Sequence, residues 1–251
     1  MNVMKSNLLM LSCFITLNLF AQEPADKNKS SKKWEHNMPF MTRGIGISFQ
    51  KFDGLNSRIA GFPQYEALKD HSWNLSAGSM HVKNNFVTQL TVSGGSSLSG
   101  HRNKKSSALR NLGIGFDLGY DVIPSEKVML YPMVGIGGET YAAIFYKDVS
   151  AVNFNDVASS PTVQNSIRSV KFTNSFFNYR LGLGVMFNSP DGNHSIGLQA
   201  GYTGSFKDQE WKSAEYQSLN NAPTDDLKRF NVSLILAGRG MMMGMKHKMK
   251  K

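Results

Sequence analysis

Cysteine is almost absent: Cys13 is the single one in 251 residues. A disulfide scaffold and a multi-cysteine zinc or iron–sulfur site are therefore excluded. Charge is sparse at 18%, while aromatic residues reach 11% and hydrophobic residues 41%. That balance excludes a disordered chain, which carries more charge and fewer rings. No stretch is apolar over the roughly 20 residues that a membrane-crossing helix needs. Acidic residues are the minority, 18 against 28 Lys plus Arg, for a net charge of +10. The excess is dispersed along the chain, so no nucleic-acid partner is expected.

The chain opens with an export signal. Lys5 precedes Leu8 to Phe20 (LLMLSCFITLNLF), an apolar run too short to span a bilayer, and Ala21 offers a small residue before a cut ahead of Gln22. A lipoprotein reading would modify Cys13, but Cys13 sits inside the apolar run and not at its end. Residues 22–42 are polar, with Lys27, Lys29, Lys32 and Lys33 among Ser and Asn, and read as a periplasmic linker. An exported chain with no transmembrane helix is either soluble or a β-barrel in an outer membrane.

Period-two alternation fills the remainder. Leu112, Ile114, Phe116, Leu118, Tyr120 and Val122 share one face, opposite Gly113, Gly115, Asp117, Gly119 and Asp121. Phe177, Tyr179, Leu181, Leu183, Val185 and Phe187 repeat the scheme opposite Asn178, Arg180, Gly182 and Gly184. Eight strands are predicted, at 43–52, 73–82, 86–95, 112–122, 128–145, 174–187, 195–205 and 230–239. Ser79 and His81 blur the second. Pro132, inside the fifth, has no N–H and predicts a broken ladder at a bulge. Most of these runs match the 9–11 residues of a tilted transmembrane strand.

Short connections (83–85, 123–126, 188–193) alternate with long ones (53–72, 96–111, 146–173, 206–229). An up-and-down barrel places all the long loops at one end and the turns and termini at the other. Aromatic residues gather near strand ends, with Phe49, Phe52, Trp73, Tyr141, Phe145, Tyr146, Phe176, Phe177, Tyr202, Phe206 and Phe230 on the loop side. Phe86, Tyr120, Tyr131 and Phe187 lie on the turn side. The expectation is two interfacial girdles.

A signal peptide ending Phe-Ala-Gln followed by eight Gly-rich alternating strands resembles the small outer-membrane barrels of the OmpA/OmpX/OmpW type, over about Arg43 to Arg239. The resemblance implies an all-β, eight-stranded antiparallel up-and-down transmembrane β-barrel, with long extracellular loops and short periplasmic turns. It also implies outer-membrane lipid and lipopolysaccharide as surroundings, with other outer-membrane proteins as candidate partners. One departure stands out. Such barrels commonly end on an aromatic residue, whereas this chain continues from Gly240 into a Met- and Lys-rich tail, so any insertion cue would lie internally at Leu234 and Leu236.

Most signs of chemistry have structural explanations. Gly135-Ile-Gly137-Gly138 and its counterparts lie mid-strand with no helix after them, so they cannot form a dinucleotide loop. Asp117, Glu139 and Arg180 share inward parity on three consecutive strands, which predicts a lumen charge network, an ion pair or a triad. The outward-facing cluster Arg102, Lys104 and Lys105, with Arg110, is a candidate contact for lipopolysaccharide phosphates. The adjacent pair His194-Ser195 falls at a turn, on the wrong side for a lipid A-modifying enzyme. No catalytic residue, metal site or cofactor is assigned. Met241 to Met249 carries thioethers and His247 suited to Cu(I), although a basic tail explains it equally. The expected function is a non-enzymatic structural or interaction protein. The alternatives are an accessory subunit of a secretion or barrel-insertion machine, a soluble lipocalin-like binder, and a lipid A-modifying enzyme.

Overall fold

A computed structural model describes residues 39–97, 104–123, 125–189 and 194–239. The expected signal peptide, almost all of the expected linker, Arg102 and the Met/Lys tail lie outside the described residues. The chain forms β1 (Phe40–Gln50), α1 (Asp53–Ala60), β2 (His71–Lys83), β3 (Phe86–Ser96), β4 (Ser106–Tyr120) and β5 (Val128–Tyr146). There follow α2 (Phe154–Ser159), α3 (Pro161–Ile167), β6 (Val170–Asn188), β7 (His194–Ser205), three two-residue strands β8 (Gln209–Glu210), β9 (Lys212–Ser213) and β10 (Thr224–Asp225), and β11 (Lys228–Arg239).

Eight of these strands pair antiparallel in the order β5-β4-β3-β2-β1-β11-β7-β6, and β6 returns to β5, closing the barrel. Closure removes the exposed edges that an open sheet would leave. All eight expected strands are present, several with longer ends. β4 begins six residues earlier than the alternation suggested, and β1 begins at Phe40, within the stretch read as linker. Phe40 is fully buried in an apolar cluster, which holds that start in place.

Pro132 causes no bulge. β5 runs in one unbroken register along β6, through Pro132↔Leu183. The interruption falls on the other side, where pairing with β4 stops at Gly119↔Met133. Val122 N–H donates to the Leu130 carbonyl (2.9 Å), so the N–H that Pro132 lacks would have pointed toward β4. The missing donor sits where β4 is already ending.

Outward positions carry the apolar set: Leu75, Leu112, Ile114, Val134, Leu183, Leu198 and Leu236 are all exposed. Inward positions carry Gly and polar residues along the middle of the barrel, as the alternation required, and apolar residues toward both ends. The aromatic residues divide where one girdle was expected. Phe49, Trp73, Phe177, Tyr202, Phe206 and Phe230 face outward at the loop end. Phe52, Tyr141, Phe145 and Phe176 turn inward and are buried. Neighbours on a strand point to opposite faces, so Phe176 and Phe177 cannot both belong to a girdle. At the turn end, Phe86, Tyr120 and Phe187 are outward and Tyr131 is inward.

Candidate functional site

Apart from glycines, the inward side chains fill the barrel in layers. At the turn end, Phe40, Met80, Val82, Val87, Met129, Tyr131, Met186, Ile235 and Ala237 form a closed apolar cluster. Above it, the Gln199 amide donates to Gln89 Oε1 (2.8 Å) and to the Tyr131 hydroxyl (2.6 Å).

Next come the charges. Asp117, Gly135 and Arg180 lie in one row across β4, β5 and β6. Gly135 has no side chain, so Arg180 reaches across it and places Nε 3.2 Å from Asp117 Oδ1. A Cβ on Gly135 would strike Asp117, and one on Gly115 would strike the Arg180 guanidinium. These glycines leave the space in which the pair lies. Beside it is a cavity of about 20 Å³, lined by Asp117, Met133, Arg180, Gln199, Thr203 and Asn231, with room for about one water.

Glu139 does not join that pair. It stands two inward positions nearer the loop end, flanked by Gly113 and Phe176. Its carboxylate crosses the lumen to Arg229 on β11, in a two-pronged contact of 2.6 Å (Nη1–Oε2) and 2.5 Å (Nη2–Oε1). The Tyr141 hydroxyl donates to Glu139 Oε2 (2.7 Å) and accepts from Arg229 Nη1 (3.2 Å). Asp117 thus pairs with Arg180 and Glu139 with Arg229, in two separate contacts. Arg229 falls at the end of the 206–229 stretch that the alternation assigns to a loop. Its parity with Asn231 and Ser233, one residue beyond the alternation that starts at Phe230, was the available signal.

The loops close the mouth. Phe52, Leu55, Ile59, Leu68, Leu109, Tyr141, Ala143, Phe145, Phe176, Trp211 and Leu227 form one buried cluster, with Tyr65 and Phe172 against it. Phe52 is its centre, edge-on to Tyr141 (5.1 Å) and Trp211 (5.3 Å) and stacked on Phe176 (6.1 Å). Asp225 ties the segments together. Its carboxylate accepts from the Gly54 and Leu55 amides at the start of α1 (2.7 and 2.9 Å) and from the Trp211 indole (2.8 Å). A carboxylate at a helix start complements the free amides and the dipole. The local signals of α1 are slight, Asp53 in its first turn and Leu55 and Ile59 four residues apart, and its anchoring carboxylate is 171 residues away.

Outside the lumen, a cleft of about 500 Å³ opens at the loop end between Asp53, Asp70, Asp226, Lys51, Lys228 and Phe49. Its lysines are already paired, Lys51 with Asp70 (3.6 Å) and Lys228 with Asp226 (2.6 Å). Of the basic cluster, Lys104 and Lys105 are exposed just before β4, and Arg110 is exposed on the outer face of β4 itself. Asp148 is held below the usual carboxylate range, chiefly by the Ser150 hydroxyl and amide, and the nearby charge of Lys104 adds to this. His194 and Ser195 do not form a couple: the Ser195 hydroxyl is bonded to Asn188 Oδ1 (3.3 Å).

Residues 17–235 match the outer membrane protein beta-barrel domain. The chain belongs to that family. As a member, it spans an outer membrane with its closed barrel, and the outward apolar residues face lipid. Its fold is similar to that of Ail, the attachment invasion locus protein of Yersinia pestis (16% identity, 80% of this chain and 97% of that one, TM-score 0.45). OprG from Pseudomonas aeruginosa (11% identity, 82% and 97%, TM-score 0.46) and the Neisserial surface protein NspA (11%, 80% and 97%, TM-score 0.45) are also similar. No curated protein is matched by sequence.

Proposed function

We propose that this outer-membrane barrel is a non-enzymatic scaffold that acts through its loops, with the long loops outside the cell and the turns in the periplasm. One observation carries the reading. The lumen is closed at the turn end by the Phe40–Met129–Met186 cluster and at the loop end by the Phe52–Trp211 cluster, with the Asp117–Arg180 and Glu139–Arg229 pairs between them. A barrel filled in this way offers a solute neither a path nor a chamber, so its useful surface is the loop crown and the lipid-facing wall. Lys104, Lys105 and Arg110 supply positive charge at the loop end, where lipopolysaccharide phosphates would sit.

Gentle detergent extraction of the tagged native protein tests the reading. It should come out alone or with lipopolysaccharide, and lipid A from expressing cells should keep its mass. A stoichiometric set of outer-membrane proteins would instead make it an accessory subunit, and a changed lipid A mass would make it an enzyme.

A further inference from the structure

The lipid-facing wall is not uniform. On the turn-side half of most strands the outward residues are large and apolar: Leu118 on β4, Val134 on β5, Leu198 on β7, Leu234 on β11. Between β1 and β3 the same band carries Arg43, Ala77, Ser79, His81 and Thr88 among the apolar Met41, Phe86 and Leu90. This is the stretch whose alternation Ser79 and His81 blur. The register explains how the polar residues line up. Arg43 faces Ala77, a small neighbour, while Ser79 faces Met41 and His81 faces Thr88. β1 rises from the turn end and β2 descends to it, so Ser79 and then His81 lie between Arg43 and the turn-end rim, where Lys83 closes β2.

Arg43 is exposed and makes no ion pair among the described residues. It sits three residues inside the start of β1, about 7–8 Å above the rim at a strand tilt near 40°. An arginine at that depth runs its guanidinium toward the interface. Ser79 is the diagonal cross-strand neighbour of Arg43 on the turn side, about 7–8 Å away. The Thr88 hydroxyl already donates to the His81 carbonyl (3.5 Å). The donors on offer are therefore the Arg43 guanidinium, the Ser79 hydroxyl and the His81 imidazole, with the Lys83 ammonium below.

We infer that this face is a binding site for the headgroup phosphate of a phospholipid in the leaflet at the turn end. The inference rests on the chain spanning a bilayer. Charge complementarity selects the occupant: described outward positions on the turn-side half of β1, β2 and β3 hold Arg43, His81 and Lys83 and no Asp or Glu. A phosphodiester matches a guanidinium with two parallel hydrogen bonds. A second copy of the same face would set arginine against arginine with no acid between them.

Native mass spectrometry of the full chain, released from vesicles of phosphatidylglycerol and phosphatidylethanolamine, tests the inference. Wild type should retain one phosphatidylglycerol. R43Q should lower that retention about tenfold, the loss of one charge-assisted contact; R43K, which keeps the charge without the paired donors, should fall between the two, and the loop-side control K171Q should leave it unchanged. Heat-modifiable migration of each variant reports an intact barrel. Equal retention by R43Q would overturn the proposal, as would a lipid-free dimer of the wild type, which would mean that a second copy covers the face. A wild-type chain released by alkaline carbonate would overturn the transmembrane reading, and this proposal with it.

Discussion

Glu139 on β5 and Arg229 on β11 bridge the lumen in a bidentate contact, both side chains almost fully buried, and the Tyr141 hydroxyl touches both partners. The two strands are separated by β6 and β7 around the wall, so the pair fixes distances that the ladder alone does not. A buried pair of this kind is more informative about geometry than about net stability, since desolvation offsets much of the attraction.

Removing one partner should therefore cost more than removing both. E139A or R229A should destabilise the detergent-folded barrel by about 3–5 kcal/mol, because each strands an uncompensated charge. The double variant E139L/R229M should recover most of that loss. Urea unfolding followed by heat-modifiable migration measures both, and a double variant as unstable as the singles would contradict the account.

The Asp117–Arg180 pair depends on empty space. G115V would drive a side chain into the Arg180 guanidinium, and G135V would drive one into Asp117. Each should cost about 1–3 kcal/mol as the pair is displaced. G138A, on the outward side where the nearest atom to an added Cβ is 3.9 Å away, should be close to neutral.

Asp225 holds the cap and not the wall. D225A should leave three donors unpaired, at Gly54, Leu55 and Trp211, and weaken the cap by about 1–3 kcal/mol. The expected readout is faster proteolysis within 51–70 and 206–227 with the barrel strands still protected. Unchanged cleavage would show that the apolar cluster alone secures the loops.

If the loop-end basic residues meet lipopolysaccharide, K104Q/K105Q/R110Q should lower the amount that copurifies, and wild-type binding should weaken with added salt. R43Q, at the opposite end, should leave that amount unchanged. Equal copurification by wild type and the triple variant would remove these residues from the interface.

Alternation made the eight strands legible because a lipid-facing wall and a narrow lumen demand opposite residues at every step, as from Leu112 to Val122. It could not show which charges meet. Asp117 and Arg180 pair only because the register sets Gly135 between them, and Glu139 finds Arg229 only because the barrel closes. The cap was hidden for the same reason: Asp225, Trp211 and α1 are brought together by contacts far apart in the chain. Aromatic residues near strand ends suggested girdles, yet parity sends Phe145 and Phe176 inward to plug the mouth.

The barrel is closed at both ends. Planar-bilayer recording of the purified, refolded chain tests that closure most directly. Insertion without steady conductance steps, in wild type and in E139L/R229M alike, is the predicted result. Stable, uniform current steps from the wild-type barrel would contradict it and show that the Phe52–Trp211 cap and the Phe40–Met186 floor open onto a continuous aqueous path.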